Sequence, residues 1–233
     1  MSELRGSNRA ADTVANTARD AAPDCAVNAF STRRIRPGQL AYRFADGLPL
    51  ETLVLRLETH GYWGEIVGPH GSGKSTLLEH LLPLCEDRGK VVDRFQFRTD
   101  QRQLSVSDER RRSWNASTLV VVDGYEQLSW WNRWRLKRWC RQAGAGLLVT
   151  AHRTMGLPRL HTTSTSLELL RTLVGELVRE SPEAWRPSDT QVSEAYRAHG
   201  GNLREALLQL YDDYQRRQQA ADDSSRGDGT SPS

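Results

Sequence analysis

The chain has 233 residues, of which 26% are charged and 37% are hydrophobic before glycine is counted. This suits one domain of ordinary size, or a core with a small appendage, which needs no disulfide bonds to fold. Cys25, Cys85 and Cys140 are too widely spaced for a zinc site or a disulfide framework. No apolar run reaches the roughly 18 residues of a membrane span, and the N-terminus lacks an apolar signal core. We therefore expect a cytoplasmic protein without membrane contact.

The net charge of +3 indicates no particular partner. The basic residues are unusual in kind, because Lys74, Lys90 and Lys137 are the only lysines among 32. Arginine is well suited to phosphate recognition, but the arginines are scattered over the whole chain. We favour a bias in codon usage as the origin of the many arginines. Because lysine is rare in this chain, a lysine inside a glycine-rich loop is more informative.

Apolar patterns predict strands that alternate with helices, and hence a parallel sheet covered by helices on both faces. The segment 68–75 (GPHGSGKS), which follows the first of these strands, has the pattern of a phosphate-binding loop. The expected fold is therefore the α/β sheet of a P-loop NTPase with a small C-terminal helical lid. Predicted strands are 64–67, 90–98, 119–122, 146–150 and 160–166; predicted helices are 50–60, 74–86, 126–143, 167–179, 188–198 and 203–217, with one further short helix expected within 99–115.

Composition divides the chain into four segments. Residues 1–27 and 218–233 are predicted to be disordered tails. Residues 28–180 are predicted to form the nucleotide-binding domain. Residues 181–217 lack strand patterns and are predicted to form the helical lid, with a hinge at Gly200 and Gly201.

The segment from Gly68 to Ser75 matches the phosphate-loop pattern G-x-x-x-x-G-K-[ST] at every fixed position. It follows a predicted strand and opens a predicted helix, whose positive end favours phosphate. Lys74 supplies a mobile positive charge, and Ser75 supplies a hydroxyl for Mg²⁺. A chance glycine-rich turn is the alternative, and no catalytic role is assigned to His70. The predicted ATP-binding residues of this segment are Gly68, Pro69, His70, Gly71, Ser72, Gly73, Lys74, Ser75 and Thr76.

Asp123 ends a continuous β-branched strand 49 residues after Lys74. In P-loop proteins such an aspartate completes the Mg²⁺ shell, so Ser75 and Asp123 are the predicted metal-binding pair. The alternative is that Asp123 only caps a helix.

From these two motifs the chain resembles the P-loop ATPases that have an extra strand between the phosphate loop and the acidic strand, and within them the AAA+ and STAND families. Many AAA+ proteins place a catalytic glutamate directly after the aspartate, where this chain has Gly124. NACHT-type STAND proteins often carry a carboxylate at the third position, which is Glu126 here. The resemblance implies that Glu126 is the general base or orients the attacking water. Glu126 equally suits the first turn of a helix.

The same resemblance implies two sensors. Thr150 lies at the end of a sensor-1-like strand, with His152 as a second candidate, although a plain exit from the strand is an equal alternative. Arg204 follows a glycine turn, as does the sensor-2 arginine that reaches the γ-phosphate from the lid. Arg204 is otherwise a solvated residue on a helix capped by Asn202. The predicted catalytic set is Lys74, Asp123, Glu126 and Thr150.

The stretch 130–139 interleaves tryptophan with basic residues (WWNRWRLKRW). Such a pattern can bind single-stranded nucleic acid. We favour the simpler interpretation, in which the tryptophans pack on the sheet and the arginines face water.

Three functions remain open. The favoured one is an ATPase that acts as a switch or motor subunit. A P-loop kinase for a small molecule and a nucleotide-binding module without hydrolysis are the alternatives. An ABC ATPase lacks support because no LSGGQ-like segment precedes Asp123, and a GTPase lacks it because no N-K-x-D motif appears. A protein client and a homo-oligomer are both compatible with the sequence.

Overall fold

The computed structural model describes residues 49–97 and 103–227. The predicted N-terminal tail, the lead-in to residue 48 and the end of the C-terminal tail after residue 227 lie outside the described residues. No helix within the described ranges is both long enough and apolar enough to cross a membrane.

Five parallel strands form one sheet in the order β2-β3-β4-β1-β5. Strand β4 therefore separates the strand before the phosphate loop from the strand that ends in Asp123, which is the extra strand that the sequence motifs imply. The strands are β1 Trp63–Val67, β2 Val91–Gln96, β3 Thr118–Asp123, β4 Gly146–Ala151 and β5 Arg159–Thr162.

Helices cover both faces of this sheet, as predicted for an α/β P-loop fold. The helices are α1 Leu50–Thr59, α2 Lys74–Glu86, α3 Asp108–Arg112, α4 Trp130–Ala143, α5 Leu167–Leu177, α6 Asp189–Ala198 and α7 Leu203–Gly227.

Alternate residues of the central strands point to opposite faces. Leu119 and Val121 pack with helices α1 and α2, whereas Val120 and Val122 pack with the side that carries α4. Because both sides of β3 and β4 are fully buried, these strands are continuous apolar runs. The sheet thus holds its carboxyl ends rigidly, and Asp123 lies at one of them.

The C-terminal helices share a separate hydrophobic core, in which Leu170 and Val174 of α5 pack with Leu207 and Leu210 of α7. Helix α5, which precedes the predicted boundary at residue 181, thus packs with the C-terminal helices. The predicted helix end at residue 217 is wrong. Helix α7 continues through Gly227 because residues 218–226 contain neither glycine nor proline, and include the strong helix formers Gln and Ala.

Two predictions about the α4 region are also corrected. Helix α4 begins at Trp130 after the N-cap Ser129, so Glu126 lies in a preceding 3₁₀ turn and not in the helix. Trp139 is partly buried against the core on this side of the sheet, but Trp130, Trp131 and Trp134 are exposed and do not pack on the sheet. Leu136 and Cys140 are the buried residues of this helix, and a helix has room on its inner face for only one such stripe.

Candidate nucleotide-binding site

The phosphate loop connects β1 to α2, and its glycines are required by its geometry. A Cβ atom at Gly68 would lie 2.0 Å from Oγ1 of Thr163 and 2.5 Å from the Thr163 carbonyl oxygen. Gly73 has φ of +86°, a conformation that glycine adopts without strain, and it caps α2 at the N-terminus. Because α2 begins at the next residue, its backbone amides and its dipole face the loop.

Lys74 is buried beneath this loop with 9% of its surface exposed. Its ammonium donates hydrogen bonds to the carbonyl oxygens of Gly68 at 2.7 Å and Pro69 at 2.6 Å. Burial lowers the pKa of Lys74, while the carboxylates of Glu126 and Asp123 raise it. The positive ammonium of Lys74 is therefore placed to pair with the negative oxygens of a phosphate chain bound at the same loop.

The predicted metal-binding pair is in contact. The Ser75 hydroxyl donates to Oδ2 of Asp123 at 2.8 Å, and the Thr150 hydroxyl donates to Oδ1 of the same carboxylate at 2.5 Å. The parallel register explains this arrangement, because Val122 pairs with Val149 and so aligns Asp123 with Thr150. Thr150 also accepts from the Gly124 amide at 3.0 Å, which fixes the exit of β3.

The departure at Gly124 has a steric cause. Gly124 has φ of +84°, and a Cβ atom there would lie 2.6 Å from the Phe97 carbonyl oxygen. A glutamate directly after Asp123 therefore does not fit this backbone. The first carboxylate that fits is Glu126 in the following turn. Its Oε1 lies 2.9 Å from Nε2 of His152.

Oε2 of Glu126 is buried and has no hydrogen-bond partner among the residues that the structure describes. A buried carboxylate oxygen without a partner is costly, so such an atom requires an explanation. A water molecule or a ligand group that donates to Oε2 would satisfy it.

His152 connects Glu126 to the phosphate loop. Its Nδ1 lies 3.2 Å from the Gly68 carbonyl oxygen and 3.3 Å from Nζ of Lys74. Its ring lies 3.5 Å from the ring of His70, measured between centroids. Burial is the largest cause that lowers the pKa of His152; the charges of Lys74 and His70 also lower it, and Glu126 raises it. The lowered pKa favours the neutral form of the imidazole.

Two residues at the site, Arg94 and Thr163, belong to no recognised sequence motif. Nη2 of Arg94 lies 3.8 Å from Oδ2 of Asp123, and its Nη1 forms an ion pair with Glu79 at 2.5 Å. Thr163 is buried, and its Oγ1 lies 2.6 Å from Oγ of Ser72 in the loop. Strand pairing alone brings these residues to the site: Arg94 is aligned with β3, and Thr163 follows β5.

The lid also reaches the phosphate loop. A Cβ atom at Gly71 would lie 1.8 Å from Oδ1 of Asn202 and 3.2 Å from the backbone nitrogen of Arg204. Asn202 accepts from the Glu205 amide at 3.3 Å and so caps α7. The Arg204 side chain is exposed. The structure thus brings the start of α7 to the loop, with Arg204 in the first turn of this helix.

The residues present fit a magnesium-bound nucleoside triphosphate. Ser75 and Asp123 offer the hard oxygen ligands that Mg²⁺ prefers. The glycine backbone offers amides and the buried Lys74 offers a cation for the phosphates. The Pro69 carbonyl oxygen accepts from Oγ of Ser72 and from Nζ of Lys74, and Thr76 lies in the first turn of α2. The fold and this arrangement of residues define the class of P-loop NTPases.

No protein-family model and no curated protein matches the chain. One solved structure with a similar fold is a DNA replication initiation factor, which is 15% identical with a TM-score of 0.47. The match covers 72% of this chain and 63% of the replication factor. Domain III of the Thermotoga maritima replication initiation protein DnaA is 10% identical with a TM-score of 0.42 over 78% of this chain and 97% of that one. PCH-2 of C. elegans is 15% identical with a TM-score of 0.35, and the match covers 72% of this chain and 67% of PCH-2. Similarity at this level adds nothing to the site.

Proposed function

We propose that this protein binds ATP with Mg²⁺ and hydrolyses it to ADP and phosphate as a nucleotide-dependent switch. The observation that carries the proposal is the convergence of Glu126, Lys74 and Asp123. The pKa of Lys74 responds to both carboxylates, and Glu126 has one buried oxygen free to accept a hydrogen bond. A base, a phosphate-directed cation and a metal ligand in one place are the parts that phosphoryl transfer to water requires.

Each residue has a distinct role in this mechanism. Lys74 neutralises charge on the β- and γ-phosphates, and Ser75 and Asp123 would hold the metal. When bound, Mg²⁺ would neutralise part of the negative charge of the phosphates. Glu126 orients water through Oε2 and accepts its proton. Thr150 donates to Asp123 and so keeps that carboxylate aligned.

The neutral imidazole of His152 holds Glu126 by a hydrogen bond from Nε2–H to Oε1. With Nε2 protonated, Nδ1 is the acceptor of this tautomer and accepts from the Lys74 ammonium at 3.3 Å. His152 is therefore a positioning residue that links the base to the lysine. Because His152 contacts both side chains, a movement of Lys74 towards phosphate changes the position of Glu126.

The switch role rests on the contact between Gly71 and Asn202. The lid helices have their own core, so they can move as a unit relative to the sheet. Phosphates bound at the loop lie beside the start of α7, where Arg204 reaches them. Occupancy of the loop by ATP or ADP thereby biases the position of the lid.

The test is phosphate release from ATP by the purified protein, with and without Mg²⁺. Lys74→Ala is expected to remove both tight ATP binding and turnover, because Lys74 is the phosphate-directed cation of the loop. Lys90→Ala is the matched control: its ammonium lies on the surface, 3.9 Å from the ring centroid of Tyr62. Wild-type turnover by folded Lys74→Ala protein contradicts the proposal. Phosphate transfer only in the presence of an added metabolite indicates a kinase, and binding without turnover indicates a non-hydrolysing module.

A further inference from the structure

Three large aromatic side chains of α4 lie in solvent. The exposed fractions are 61% for Trp130, 63% for Trp131 and 46% for Trp134. Each indole removed from water is worth several kilocalories per mole in a core, so a cluster left outside requires a reason. Contiguous exposed apolar surface of this kind commonly marks an interaction site.

The three indoles form one continuous aromatic ridge. The ring centroids of Trp130 and Trp131 are 4.8 Å apart with an interplanar angle of 71°, and those of Trp131 and Trp134 are 5.8 Å apart at 88°. Edge-to-face packing holds neighbouring rings at nearly right angles to one another. The ridge therefore presents flat ring faces to solvent in more than one direction.

Arginines share the outer face of α4 with these tryptophans. With about 3.6 residues per turn, Arg138 and Arg141 fall on the same side of the helix as Trp134. The guanidinium of Arg138 lies 5.8 Å from the Trp134 ring centroid. Arg135 lies 4.7 Å from the ring of Trp139, and the sequence of α4 contains no acidic residue. We call the three exposed tryptophans together with Arg135, Arg138 and Arg141 the Trp/Arg face.

The remaining cations of α4 serve the fold. Arg133 donates to Sδ of Met155 at 3.1 Å, and Lys137 donates to the Met155 carbonyl oxygen at 3.1 Å. Both therefore fasten α4 to the loop after β4. Arg135 and Arg138 instead contact tryptophan rings of α4 itself. Arg141 lies 5.3 Å from the ring centroid of Trp63 in β1, so it also contacts the sheet.

From this surface we infer that the Trp/Arg face binds single-stranded nucleic acid. The ligand must be anionic to complement the arginines, and it must carry flat groups that stack on the indoles. Unpaired bases on a phosphate backbone supply both, and stacking tolerates any base sequence. A duplex supplies the charge but hides the faces of its bases. An acidic protein segment supplies the charge without a matching series of flat rings.

The face is joined to the nucleotide site by a short path. Glu126 lies in the turn that leads into α4, and the hydroxyl of buried Tyr125 donates to the Arg133 carbonyl oxygen at 3.3 Å. A ligand on α4 therefore acts on a helix whose start is fixed to the candidate catalytic turn. Binding itself does not depend on hydrolysis, so its failure and that of the proposed ATPase are separate results.

The experiment measures fluorescence anisotropy of a labelled oligonucleotide of about 20 unpaired thymidines, beside a duplex of the same length. Wild-type protein is expected to bind the single strand at least tenfold more tightly than the duplex. Each of Trp131→Ala and Trp134→Ala is expected to weaken binding about tenfold. Trp131→Phe is expected to retain most of the affinity, because it keeps a ring that stacks. Arg138→Gln is expected to weaken binding and to lower the slope of log Kd against log salt by about 0.7.

The matched control is Leu55→Ala with Arg56→Gln. Leu55 is 54% exposed and lies beside an exposed arginine on α1, on the opposite face of the sheet. This variant removes the same kinds of group and is expected to bind like wild type. The inference is overturned if the single strand does not bind, if the duplex binds equally well, or if the tryptophan variants bind like wild type. Preferential binding of polyglutamate over the oligonucleotide also overturns it and identifies a protein-binding surface.

Discussion

Oε1 of Glu126 lies 2.9 Å from Nε2 of His152, and Nδ1 of the same ring lies 3.3 Å from Nζ of Lys74. One imidazole therefore joins the candidate base to the lysine of the phosphate loop. The register of the sheet creates this link, because Val67 pairs with Ala151 and places the next residues of β1 and β4 side by side. A substitution of Glu126 or of His152 should therefore alter the position of the other side chain.

Glu126→Gln is expected to bind ATP normally but to hydrolyse it more slowly by about 10²-fold or more. The amide keeps the size of the side chain and its bond to His152, but it cannot take a proton from water. Turnover is measured by phosphate release, and binding by titration with a fluorescent ATP analogue. Glu51→Gln, at an exposed position in the first turn of α1, is the control for loss of a carboxylate. Unchanged turnover would remove Glu126 from the mechanism.

His152 predicts a particular dependence of stability on pH. Burial and the charges of Lys74 and His70 lower the pKa of His152, against the opposing effect of Glu126. The unfolded chain then binds a proton more readily than the folded one, and stability is lost as the pH falls below about 6.5. Urea unfolding between about pH 7.5 and 5.5 is expected to show a steeper loss for wild type than for His152→Gln.

The control for this experiment is His60→Gln. His60 is exposed at the C-terminus of α1, where its Nδ1 lies 2.7 Å from the Arg56 carbonyl oxygen. This variant removes an imidazole without touching the phosphate loop and is expected to keep the pH slope of wild type. Equal slopes in wild type and His152→Gln would show that His152 does not contribute to the pH dependence.

The phosphate loop and Asp123 are predictable from sequence because their chemistry is local. A loop that presents amides to phosphate needs glycine at fixed positions, and its lysine and serine follow on the first turn of the helix. The continuous apolar run of β3 also indicates its own burial. Only pairing across the sheet, however, brings Arg94 and Thr163 to the site, and no local pattern indicates such a contact.

The orientation of α4 was not predictable for a different reason. Tryptophans and basic residues alternate around most of this helix, so periodicity gives no single apolar face. The small stripe formed by Leu136 and Cys140 is the one that packs on the sheet. Burial of the smaller residues leaves the larger rings outside, which is the opposite of what size and hydropathy alone favour.

Gly124→Ala is expected to destabilise the fold by at least about 1–2 kcal/mol, because its φ of +84° is costly for any residue with a side chain. The new methyl group also lies 2.6 Å from the Phe97 carbonyl oxygen, so the backbone must shift. Gly175→Ala is the matched control. It lies within α5 with no atom within 4 Å of a new Cβ, and it is expected to stabilise by up to about 1 kcal/mol. Equal unfolding free energies for the two variants would contradict the steric account of Gly124.

Two arginines near the loop are expected to act in different ways. Arg204 lies at the start of α7, with its backbone nitrogen next to Gly71, and is expected to serve the nucleotide of its own subunit. Arg204→Ala is therefore expected to weaken ATP binding roughly tenfold at any protein concentration, the effect of one lost charge-assisted hydrogen bond. Arg197→Ala, at an exposed position on α6, is the control for loss of an arginine from the lid. Wild-type ATP affinity in Arg204→Ala would assign Arg204 to the solvated surface.

Arg153 is exposed directly after His152, at the edge of the site. If subunits share sites, Arg153 supplies positive charge to the phosphate bound next door, as arginines do in other phosphoryl-transfer enzymes. Arg153→Ala is then expected to lower turnover per subunit only at concentrations where light scattering detects assembly. Arg159, whose Nη2 donates to Oγ1 of Thr154 at 2.6 Å, provides the comparison, because that bond restrains it within its own subunit. Turnover per subunit that stays constant on dilution while the protein remains monomeric would contradict shared sites and leave a switch that is complete within one chain.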